Sequence, residues 1–223
     1  MTRHMRRPKN NLVGRSLGQS MLEVIVASGV IVTAVSAALT LVQSSLSGAK
    51  TSEEQIIAYT LAQESVEVVR HMRDSNWLAG RDYDDGLYGD SYEFRAVPVF
   101  DAATKTWTLD HDISSSWDDN KIRVYKQVTN DGSVPAGMYL QADVQPDGSE
   151  VTRFIRRLTF RRICSKADGT TDNYISYERL SVAAPCPVGQ ENIGIEINSY
   201  VRWLNPSGEY NTVRLMERLF DWR

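Results

Sequence analysis

From Met21 to Val42 every residue is apolar, small or hydroxyl-bearing, with the single exception of Glu23. As a helix rising about 1.5 Å per residue, the run measures roughly 33 Å. That exceeds the roughly 30 Å hydrocarbon core of a bilayer, and the apolar core of a signal peptide is usually shorter. A carboxylate there costs on the order of 2.5 to 3.5 kcal/mol at mid-membrane, less toward an interface, and tends to find a partner. The segment therefore predicts a membrane helix, about 21–42, with one acid to be accounted for.

Charge gives the segment a direction. Residues 1–18 hold Arg3, Arg6, Arg7, Lys9 and Arg15 and no acid, so the formal net charge of -3 divides into +5 there and -8 beyond. A basic head before an apolar run is a targeting layout. By the positive-inside rule the head stays cytoplasmic and everything after Val42 crosses.

The helical pattern continues beyond the apolar run with no proline to stop it. Ala58, Leu61, Ala62, Ser65, Val68, Val69 and Met72 fall at three- and four-residue spacings and form one apolar or small face. Glu53, Glu54, Gln63, Glu67 and Arg70 are assigned to the other face. Helix-ending chemistry is read at Arg73, Asp74, Ser75 and Asn76. One helix over 19–76 is expected, with Gly29 and Gly48 as points of bending or melting.

From Trp77 onward the texture is β-rich, in YEFRAVPVF, KIRVYKQVT, VTRFIRRLTF, IGIEINSYVRW and YNTVRLMERLF. Ile193, Ile195, Ile197, Ser199, Val201 and Trp203 alternate with Gly194, Glu196, Asn198, Tyr200 and Arg202, the period of a strand with one buried face. Asn205, Pro206, Ser207 and Gly208 supply a turn into the last strand. The expected fold class is α+β: a long N-terminal helix, its first half transmembrane, packed on an antiparallel β-sheet domain over 77–223.

These residues together resemble a type IV prepilin or a related type II secretion pseudopilin. The resemblance rests on a basic leader ending at Gly18, Glu23 as the fifth residue after it, the apolar run, and the long helix leading into a β domain. It implies a pilin-like fold and cleavage between Gly18 and Gln19 by a prepilin peptidase, with Gln19 the candidate for N-methylation. Where the common pattern has Phe after the cut and a Thr-Leu-Ile-Glu string, this chain has Gln19, Ser20, Met21 and Leu22. The resemblance also implies a role for Glu23: the new amine of an incoming subunit meets the carboxylate of a neighbour as helices pack into a filament. The implied partners are other pilins, the peptidase, the inner-membrane pilus assembly machinery and the membrane itself. The implied location is single-pass in the cytoplasmic membrane, then the extracellular filament.

Other residues are weighed against plainer roles. Cys164 and Cys186 lie in the exported part, where a disulfide can persist, and would close a loop of about 22 residues worth roughly 3 kcal/mol; two separate thiols are the alternative. Arg153, Arg156, Arg157, Arg161 and Arg162 invite a nucleic-acid reading, but strand alternation splits them between two faces, and a salt-bridged strand is expected instead. Asp82, Asp84, Asp85 and Asp90 could offer oxygen ligands to calcium, yet Gly86 stands where another ligand would be wanted; an ordinary acidic loop is expected. His4, His71 and His111 form no readable cluster, so neither catalysis, a metal nor a cofactor is expected. The rival readings are a soluble binding domain cut by ordinary signal peptidase near Val35, Ser36 and Ala37, and a permanently anchored enzyme.

Overall fold

The computed structural model describes residues 17–88, 95–130, 132, 134–166 and 186–221, with side chains from residue 21 onward. It divides into two compact units, Met1–Ser52 and Glu53–Arg223. One helix, α1 (Leu17–Leu78), supplies the described part of the first unit and opens the second.

Helix α1 passes through Gly29 and Gly48 without interruption. It also continues past Arg73–Asn76, and the stop comes at Gly80. There Gly80 takes φ +71°, its N–H donates to the Trp77 carbonyl at 3.0 Å, and the Arg81 N–H donates to the Asn76 carbonyl at 2.9 Å. This paired closure needs a left-handed residue just past the helix, which glycine adopts without a Cβ clash. Two of the polar residues at 73–76 have other work: the Asn76 amide donates to the carbonyls of Tyr83 and Asp85 beyond the helix, and the Arg73 guanidinium lies 4.5 Å from the Trp77 ring on the same helix.

Among the described residues, the second unit is a seven-stranded antiparallel sheet with that helical segment packed on it. Its strands are β1 (Arg95–Asp101), β2 (Thr106–Asp110), β3 (Arg123–Gln127), β4 (Tyr139–Gln141), β5 (Ser149–Lys166), β6 (Gln190–Leu204) and β7 (Tyr210–Phe220). The long β5 organises the rest. Along one side it pairs with β6, which pairs with β7; along the other it pairs with β3 near its start and β1 further on, which carry β4 and β2. The turn from β6 to β7 forms as expected, with Gly208 at φ +84° donating to the Asn205 carbonyl at 3.0 Å.

Alternation along β5 and β6 sends Phe154, Leu158, Phe160, Ile195, Ile197, Val201 and Trp203 to the helix side. There they bury Ala58, Leu61, Ala62, Val66 and Val69 of α1. Each large aliphatic or aromatic chain so buried contributes about 1.5 to 3 kcal/mol, making this face the main stabiliser of the unit. A smaller core of Val97, Ile113 and Ile122 lies under the segment that links β2 to β3.

Candidate membrane and assembly segment

In the first unit, every side chain from Met21 to Ser52 is exposed. The stretch is long and apolar enough to cross a membrane, with a mean hydropathy of 2.3 in its best window. The hydroxyls of its apolar part, 21–42, are satisfied within the helix: Ser28 donates to the Ile25 carbonyl, Thr33 to Val30, Ser36 to Val32 and Thr40 to Ser36, at 2.8 to 3.0 Å. Such back-bonding hides a polar group without any external partner, which suits hydrocarbon surroundings. Glu23 has no equivalent. Among the described residues nothing donates to its carboxylate, and the next ionisable side chain along α1 is Lys50. Gly18 and Gln19 lie in the first turn of α1, where only the backbone is described, and the basic residues of 1–16 lie outside the described residues.

Glu54, Glu64 and Glu67 of the second unit's helical segment behave differently. Glu54, assigned from sequence to the solvent face, is buried: it accepts from Trp203 Nε1 at 3.1 Å and pairs with Arg153. Glu64 pairs at 2.7 Å with Arg156, whose side chain is wholly buried and also donates to the Leu61 carbonyl at 3.1 Å and Gln141 Oε1 at 2.6 Å. Burial presses the Arg156 guanidinium below its ordinary value, and the Glu64 carboxylate pulls it back up. Glu217 of β7 reaches Arg70, which Glu67 also holds. The signal for Glu54 was in the spacing, because residues 54, 58, 61 and 65 share one helical stripe. Nothing in the sequence marked Glu64 and Arg156 as partners, since they lie on separate elements.

The remaining candidates have local roles. Cys164 and Cys186 form a disulfide with Cα atoms 5.8 Å apart. The five arginines of β5 are split between the two faces, with Arg153 reaching the helix side despite its odd position, and each has a protein partner: Glu54 for Arg153, Glu64 for Arg156, the Trp117 ring at 3.9 Å for Arg157, Glu196 at 3.8 Å for Arg161, and the Tyr88 ring at 5.1 Å for Arg162. In the acidic turn, Asp85 pairs with Arg81 at 3.0 Å and Asp84 accepts from Asn192 at 3.3 Å, while Asp90 lies outside the described residues. Burial raises the Asp84 carboxyl and pushes the Tyr88 phenol up to about 12. Among the described residues no group of three or more His, Cys, Asp or Glu could hold a metal ion.

Comparison with family models, curated proteins and solved structures finds no match.

Proposed function

We propose that this chain is a filament subunit of the type IV pilin and pseudopilin kind, cleaved after Gly18 and assembled through α1. In this reading the apolar part of α1 anchors the precursor in the cytoplasmic membrane, with the basic leader inside and the sheet domain outside. Cleavage then gives every subunit a cationic amine at Gln19, the methylation candidate. The chain acts by assembly, and the sheet domain rides on the helix.

The observation that carries the proposal is the contrast in carboxylates along one helix. Glu54 and Glu64 are held by arginines of the same chain, whereas Glu23 stands among exposed apolar residues with no partner among the described residues. An unpaired charge in a low-dielectric surrounding is costly, and the amine that cleavage creates at Gln19, four residues earlier, on another copy is a partner of the right sign.

The test is the N-terminal residue of the protein recovered from cells. The proposal expects Gln19. Ala38 would replace it with a secreted soluble domain, and an uncut Met1 with a permanent anchor.

A further inference from the structure

The sheet face turned away from the helix has a composition that the membrane segment does not explain. In the outward rows of β5, β6 and β7 stand Arg157, Arg161, Arg202, Arg214 and Arg218, with Glu196 as the one acid among them. The guanidinium groups are held in place. Arg157 and Arg202 lie 3.9 and 4.5 Å from the Trp117 ring, Arg202 is also 4.5 Å from Tyr210, and Arg214 is 5.6 Å from Tyr200. Arg214 donates to Asn198 Oδ1 at 2.9 and 2.6 Å, and Arg218 contacts Glu196 at 3.3 Å. Stacked guanidinium planes keep their charge, and being fixed beforehand they lose little freedom on meeting an anion. Met216, about half exposed, lies between Arg214 and Arg218 on the same strand.

The opposite charge is also built into this chain, at the other end of β5. The turn from β4 into β5 exposes Asp143, Asp147 and Glu150, none of them in an ion pair among the described residues, beside the strongly exposed Val144. The turn is fixed by its own bonds: Gln145 donates to the Ser149 carbonyl and Ser149 Oγ to the Pro146 carbonyl, both at 2.6 Å. Along β5 the turn and the arginine rows, of which Arg202 opposite Ile155 comes nearest, are five to twelve residues apart, about 15 to 40 Å at strand rise. One molecule cannot bring them together.

We propose that the arginine face docks the Asp143–Glu150 turn of a second copy of this chain, with Val144 against Met216. The two patches are different surfaces, so the contact is head-to-tail and leaves one of each free to continue the chain. This rests on the assembly reading and names a contact made by its sheet domains. The test uses the full chain in membranes, with Val144→Cys and Met216→Cys on two differently tagged co-expressed copies and mild oxidation. A mixed disulfide dimer is expected only when both cysteines are present. Arg214→Glu with Arg218→Glu should lower its yield about tenfold, since facing like charges are strongly unfavourable.

Because those arginines also hold Asn198 and Glu196, the deciding variant is on the turn. Asp143→Lys with Asp147→Lys and Glu150→Lys alters only exposed, unpaired groups and should lower the yield equally. Combining the two reversed sets should restore it. Parent-level yield in the turn variant overturns the proposal, as does the absence of cross-links in both membranes and sheared filaments. Cross-links in membranes without any filament sink the filament reading alone, whereas filaments without cross-links sink this contact alone.

Discussion

Two stretches of α1 share one backbone geometry and solve opposite problems. Over 21–52 every side chain is exposed, and the hydroxyls of 21–42 bond to carbonyls of their own helix. Over 54–77 one face is covered by the sheet and the acids are used across it, Glu54 toward Arg153 and Trp203, Glu64 toward Arg156. The comparison singles out Glu23. Two inward carboxylates of the helix are satisfied by the fold, so the fold can supply a cation where one is needed, whereas Glu23 lies without a partner among the described residues in the segment long and apolar enough to cross a membrane.

Substitutions can sharpen or break that contrast, and the largest effects belong to the covered stretch. Leu61→Ala should lower the stability of the sheet domain by about 3 kcal/mol, because Leu61 is buried and its removal leaves a cavity. Leu39→Ala, in the exposed stretch, should change it by less than about 0.5 kcal/mol. Denaturant titration of both variants in detergent checks the pair, and equal losses would break the comparison. Glu64→Ala should also cost about 3 kcal/mol by stranding buried Arg156, while Glu64→Leu with Arg156→Met should recover most of the loss.

Reducing the Cys164–Cys186 bond should lower stability by about 3 kcal/mol on the chain-entropy account. The same titration with and without reductant measures it, and no change would remove the disulfide from the list of stabilisers. Gly80→Ala should cost about 1 kcal/mol through its left-handed backbone.

The smallest effect at neutral pH is that of Tyr88. Its folded phenol is held up to about 12 by burial, against an ordinary value of about 10. Between those values the unfolded chain releases a proton that the folded chain keeps, so stability should fall as pH rises through that window. Tyr88→Phe should flatten part of the alkaline limb of a stability–pH curve.

Much of this architecture was legible because periodicity reports burial. The stripe through Ala58, Leu61, Ala62 and Val69, and the alternation of Ile195, Ile197, Val201 and Trp203, are the two faces that pack together. What periodicity could not report was pairing across elements. The apolar stripe recurs at Glu54, but only the fold supplies the Arg153 and Trp203 that make an acid acceptable there. Two strands escaped notice for a different reason: β4 is three residues long, and β2, Thr106–Asp110, is mostly polar and lies at the rim beside β1. The outward arginine rows were illegible as a surface, because Arg161, Arg202 and Arg218 come from three strands.

The central claim is that Glu23 serves assembly and not insertion. Glu23→Ala removes the only formal charge in the apolar run, so membrane insertion and cleavage at Gly18 should persist. Assembly should fall, because the neighbour's amine loses its carboxylate. The measurement pairs the masses of precursor and mature chain in membranes with the amount of subunit in sheared extracellular filaments. The account predicts mature subunit in the membrane and a large loss from filaments; Glu23→Ala subunits entering filaments at the parent level would contradict it.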